Sequence, residues 1–180
     1  MNCARKTLAL CAGLWLLAGC ARVPGVEVPD VRTPLEVVVE ILKLAGVGPS
    51  DVVYDLGSGD GRIVIGAARD FGARGVGIEL DPDLVPEAET NAARARVADR
   101  TRFLKQDIFD ADISEATVVT LYLSPELNLR LKPRLLAQLK PGSRIVSHDF
   151  PIGHWQPARV VNFQGPERTH VLSLWIVPPR

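Results

Sequence analysis

Beyond residue 20 the chain has no cysteine. Cys3, Cys11 and Cys20 all fall in its first twenty residues. The remainder therefore has no internal disulfide, no Cys-ligated metal and no thiol nucleophile. An excess of charge of either sign is also lacking, since 21 Lys plus Arg balance 21 Asp plus Glu. Without a basic excess there is no electrostatic footprint of nucleic-acid binding, and without an acidic block there is no solvating tail. Internal repeats and low-complexity tracts are missing too. What is present is a chain of 180 residues, 47% hydrophobic and 23% charged, enough for one sizeable core.

The N-terminus reads as a targeting segment. Arg5 and Lys6 precede an apolar run over residues 8–17, which is too short to span a bilayer as a helix. The run ends in Leu17-Ala18-Gly19-Cys20, which resembles a bacterial lipobox. That resemblance implies cleavage before Cys20 and lipidation of its thiol. An ordinary signal peptide or an uncleaved anchor is the alternative. The expected organisation is a signal at 1–19, a lipidated Cys20 and tether at 20–32, and one domain at 33–180. The expected location is a membrane-anchored lipoprotein facing the periplasm, or the cytoplasm if the signal is not genuine.

Past the tether, apolar spacing predicts a helix over 34–46, with Thr33 as N-cap and Pro34 at its first position. Strands follow at 52–56, 75–80, 101–105, 117–123 and 143–147. Helices are expected at 62–71, from about Leu84–Pro86 through Ala95, and at 127–139, where Pro133 could kink or split the last. Two further strands, 158–163 and 171–177, are close enough to form an antiparallel hairpin. Such alternation implies an α/β fold: a doubly wound, mostly parallel sheet with helices on both faces and a terminal antiparallel hairpin. Ligands in such sheets sit beyond the C-terminal strand ends, where strand order reverses.

The first such end carries Asp55-Leu56-Gly57-Ser58-Gly59-Asp60-Gly61, and the next strand ends in Glu79. The dinucleotide fingerprint fails, because counting from Gly57 it needs glycine at position 62, which is Arg62. The spacing instead resembles motif I of the class I S-adenosylmethionine-dependent methyltransferases. The resemblance continues through Gly77-Ile78-Glu79-Leu80-Asp81 and Gln106-Asp107-Ile108, and it covers about residues 33–150. The wording Asp-Leu-Gly-Ser-Gly-Asp-Gly-Arg looks most like bacterial relatives of the seven-strand protein-lysine methyltransferases.

The resemblance implies S-adenosyl-L-methionine as cofactor. Gly57, Ser58 and Gly59 would line its amino-acid end. Asp55 would order the loop or meet its ammonium. Glu79 would hold the ribose, Asp107 would accept from the adenine amino group, and Ile108 would offer a backbone N–H. For Glu79 and Asp107 the plainer alternatives are a surface carboxylate and a turn cap.

Candidates on the substrate side are Tyr122 and Ser124 at the fourth strand's end, and His148 and Asp149 after the fifth. Tyr122-Leu123-Ser124-Pro125 departs from the Asn/Asp-Pro-Pro-Tyr form of many amino-group methyltransferases. His148 and Asp149 could supply a base or simply satisfy loop backbone. Arg130 and Arg134 read as solvated. His154 and His170 have no partners at metal-ligand spacing, so no metal is expected.

The expected activity is methyl transfer to an unknown acceptor, a protein lysine or a small molecule. Nucleic acid is not expected as a partner, and membrane contact would run through Cys20. The alternative is a lipid-anchored, non-catalytic module that keeps the nucleoside cleft. An exported domain and a cytosolic cofactor stand in conflict, which a misplaced start or an unknown supply route would resolve.

Overall fold

The computed structural model describes residues 32–180, so Cys20 and the expected signal and tether up to residue 31 lie outside the described residues. In chain order the elements are α1 (Leu35–Leu44), β1 (Val52–Leu56), α2 (Arg62–Phe71), β2 (Arg74–Glu79), α3 (Leu84–Arg94), β3 (Thr101–Lys105), β4 (Val118–Leu121), α4 (Pro125–Gln138), β5 (Arg144–His148), β6 (Arg159–Gln164) and β7 (Thr169–Ile176). Among these, no helix is long and apolar enough to cross a membrane.

Seven strands form one sheet in the order β3-β2-β1-β4-β5-β7-β6. The pairs from β3 through β5 are parallel, and β7 is antiparallel to both β5 and β6. The expected hairpin is therefore present, with β7 inserted between β5 and β6. Alternate residues of each buried strand point to opposite faces. Val52, Tyr54, Leu56, Val119, Leu121 and Ile145 pack with Leu131 and Leu135 of α4. Val53, Val118, Val146 and Leu172 pack with Val37, Val38 and Ile41 of α1 and with Ile63 and Ala67 of α2. A third cluster joins α2 and α3 over Phe103 of β3. Strand order reverses at β1, between β2 and β4, which puts a crevice beyond the C-terminal end of β1.

Two expectations about helix ends need correction. Thr33 does not cap α1. Pro34 is the N-cap, its carbonyl accepts from Val38 N at 3.0 Å, and no side-chain cap bond forms. Helix α4 starts at Pro125 and is not split by Pro133. Ser124 caps it, with its hydroxyl accepting from Leu127 N at 3.4 Å, and Pro125 sits at the first turn, where a missing N–H costs nothing. Pro133 lies on the solvent side, where water can serve the carbonyl left unpaired.

Candidate active site

A cleft of about 850 Å³ opens at the C-terminal edge of the sheet. Its floor is the loop from Gly57 to Gly61. The loop's three glycines have φ of +86°, +52° and +81°, backbone that side chains with a Cβ resist. Gly57 N and Ser58 N both donate to Ile78 O, at 2.8 and 3.0 Å, and tie the loop to β2. The close approach depends on Gly77, because a Cβ there would lie 2.5 Å from Ser58 Oγ and 2.6 Å from Phe103 Cδ1.

Glu79 is locked by backbone. Its Oε2 accepts from Gly59 N at 2.8 Å, and its Oε1 accepts from Leu80 N and Asp81 N at 2.8 and 2.9 Å. A carboxylate takes about four hydrogen bonds, so Glu79 keeps capacity for a ligand hydroxyl. Asp107 accepts from Phe109 N at 2.8 Å and so caps its turn as well as lining the cleft. Ile108 and Phe109 line the same end, where the Arg130 guanidinium lies 4.2 Å over the Phe109 ring. Arg130 is exposed, as expected, and also walls the cleft, while the half-buried Arg134 donates to Ala111 O at 3.0 Å.

Asp55 is buried at the end of β1 and accepts from Thr120 Oγ1 at 2.6 Å. Burial, reinforced by Glu79 and Asp60, outweighs that bond and pushes its carboxyl up to about 7. Asp60 behaves differently. Burial pushes it up, but a forked contact from Arg62 outweighs this and holds it below the usual carboxylate range. Arg62 also donates to Thr33 O at 2.7 Å, which lays Arg32 and Thr33 along the cleft.

Of the four catalytic candidates only Tyr122 lines the cleft. Ser124 is the cap of α4. His148 is 1% exposed, with Thr33 Oγ1 3.2 Å from its Nδ1 and His170 Nδ1 2.8 Å from its Nε2. Burial pushes its imidazole down to about 4, against the pull of Asp149. A neutral, enclosed ring of this kind is not a base for a substrate. Its face instead carries Tyr122, with ring centroids 4.0 Å apart and planes at 26°. Asp149 pairs with Arg168.

His170 therefore does have partners. His148, Asp149 and His170 present ligand-type atoms within 4.8 Å of one another, contrary to the reading by spacing. Antiparallel pairing of β5 with β7 brings them together, and no local motif could have revealed it. His148 Nε2 and His170 Nδ1 face each other, and Arg168 already neutralises Asp149. Thr33, Arg62, Arg168 and His170 were all missed as site residues. Only Arg62, next to the glycine loop, carried a sequence signal. Trp155 covers core, its carbonyl accepting from the buried Trp175 Nε1 at 2.8 Å.

The donor set fits a sulfonium nucleoside. Carboxylates stand at the ends of β1 and β2 and just past β3. The space beside Gly59 is open, with nothing within 4 Å of where a Cβ would sit. Among the described residues no lysine lines the cleft as a phosphate cradle would require. The sheet order and this edge define a class I S-adenosylmethionine-dependent methyltransferase.

Comparison with known proteins agrees. The chain belongs to the family described as the ANTKMT methyltransferase domain, matched over residues 55–159. It is 44% identical to a protein-lysine N-methyltransferase of Saccharolobus islandicus (strain REY15A), over 84% of this chain and 94% of that one. It is 38% identical to the adenine nucleotide translocase lysine N-methyltransferase of Mus musculus, over 86% and 67%. Among solved structures, an RNA methyltransferase from Salinibacter ruber in complex with S-adenosyl-L-homocysteine matches with a TM-score of 0.80 and 56% identity. That match covers 83% of this chain and 95% of that one. The protein is a methyltransferase, and the non-catalytic alternative finds no support.

Proposed function

We propose that the protein methylates lysine amines of a protein acceptor. The observation that carries this reading is the 44% identity, over 84% of the chain, to a protein-lysine N-methyltransferase. Asp55, Asp60, Glu79, Asp81, Asp83 and Asp107 line the cleft against three guanidiniums, those of Arg32, Arg62 and Arg130. This acidic excess repels a phosphate backbone. The lysine methyltransferases among the relatives support the same reading. An RNA acceptor, after the Salinibacter ruber relative, is the second reading, and the cleft charge disfavours it.

The bound cofactor would supply a methyl group already activated on a sulfonium; the lysine ammonium must lose a proton before its nitrogen can take that methyl, and alignment and exclusion of water are the protein's other tasks. In this reading Glu79 holds the ribose and Asp107 and Ile108 the adenine. Gly57, Ser58 and Gly59 offer backbone to the amino-acid end. Asp55, ionised, faces the ammonium there. Tyr122 stands on the acceptor side. We further propose Cys20 as a lipid anchor, which loss of membrane association and of lipid label in Cys20→Ser would test.

The experiment is transfer from methyl-labelled S-adenosylmethionine by the purified full chain, with poly-L-lysine and transfer RNA as acceptors. Labelled methyl-lysine after hydrolysis is the expected product. Label in RNA alone would overturn the lysine reading.

A further inference from the structure

Carboxylates follow the strand order along the sheet edge: Asp107 past β3, Glu79 on β2 and Asp55 on β1. These serve the cofactor. Past β1 the edge continues over β4 and β5, where Tyr122 and Asp149 directly follow the two strands. An acceptor has to come in from this side, because the other end of the cleft belongs to the nucleoside.

A cation is already held at that corner. Arg168 reaches in from the turn between β6 and β7, with its side chain 47% exposed. One nitrogen, Nη2, donates to Asp149 Oδ2 at 2.5 Å and to the Tyr122 hydroxyl at 3.3 Å. The fittings behind it are fixed. The Tyr122 ring rests on the buried His148, and Phe150 stacks near it at 6.0 Å. Asp149 has a left-handed backbone, with φ of +61°, unusual for a residue that is not glycine. Its Oδ1 accepts from Val171 N at 3.0 Å, which anchors that conformation to β7 and turns Oδ2 to Arg168. A carboxylate and a hydroxyl thus flank a cation position beside the cleft, and the cation in it stands on an exposed arm.

We propose that this corner is the subsite for the acceptor ammonium: Asp149 and the Tyr122 hydroxyl receive the lysine Nζ in the place that Arg168 holds in the structure. The inference rests on the lysine reading above. Arg168 is then a competitor for the subsite, and its removal helps the acceptor. His148 is a positioning residue, acting through the Tyr122 ring.

The test uses the full chain saturated with S-adenosyl-L-homocysteine, and n-butylammonium as the probe for a lysine side chain. Calorimetry compares the parent with Arg168→Ala and Asp149→Asn. Freeing the subsite in Arg168→Ala should tighten butylammonium about threefold. Asp149→Asn, which keeps an oxygen for Val171 N, should weaken it about tenfold. Weakening in both variants, no change in either, or no binding to any of the three proteins overturns the subsite. Should Asp149→Asn fail to fold, Tyr122→Phe removes only the hydroxyl and is read in its place, and unchanged binding there also overturns it. Methylation of poly-L-lysine separates the two claims. Butylammonium binding that needs Asp149, without lysine methylation, removes the lysine reading alone. Lysine methylation indifferent to both variants removes the subsite alone.

Discussion

The two ends of the cleft are held together in different ways. Over β1 to β3 the contacts run through backbone: Ile78 O receives two loop amides, and Glu79 receives three more. Over β4 to β7 they run between side chains far apart in sequence: Thr33 with His148, His148 with His170, Arg168 with Tyr122 and Asp149. At the first end neighbouring backbone amides hold the side chain of Glu79 in place. The second end depends on individual side chains, each of which can be replaced. The comparison implies that cofactor affinity and acceptor handling can be lost separately.

Glu79→Ala should break the first end most severely. It strands three amides and removes the proposed ribose partner. Affinity for S-adenosyl-L-homocysteine should fall about 100-fold, which calorimetry would read. Next in size is His148→Phe, which keeps a ring under Tyr122 but leaves Thr33 Oγ1 and His170 Nδ1 unpaired. Denaturant unfolding should show a loss of about 2 kcal/mol. Affinity for S-adenosyl-L-homocysteine should stay within about twofold of the parent.

Asp55 sharpens the comparison through pH. Burial holds its carboxyl up at about 7 in the folded chain, against an ordinary value of 3.8. Between those values the folded state binds the extra proton, so this group's contribution to stability falls as pH rises through that window. In the proposed role of Asp55 beside the cofactor's ammonium, binding needs the ionised form, so affinity should rise about tenfold from pH 6 to pH 8. Asp55→Asn should flatten both dependences. A steep dependence of affinity that survives the substitution would assign the titration to another group. The smallest effect is expected from Thr33→Val, which removes one buried hydrogen bond to His148 and should cost about 1 kcal/mol.

The same division explains what the sequence reveals. The strands at 52–56 and 101–105 and the helix at 62–71 are legible to the residue, because apolar patterns there end sharply at loop or glycine signals. The cofactor end is legible for a related reason: Asp55, the glycine loop and Glu79 sit on consecutive elements. The acceptor end is not. Thr33 ahead of Pro34 looks like a cap, yet its hydroxyl goes to a histidine 115 residues away. Strand β7 begins at Thr169, two residues before its apolar run. His148 pairs in register with Leu172, which puts His170 at the strand end beside it. Only that register unites His170, Asp149 and Arg168, and no spacing within one segment encodes it.

The most direct measurement is calorimetry of S-adenosyl-L-homocysteine on Asp149→Asn beside the parent full chain, with lysine methylation read on the same preparations. Separate ends require a dissociation constant within about twofold of the parent, while kcat/KM for poly-L-lysine falls about tenfold. A parallel loss of cofactor affinity would contradict the division between the two ends.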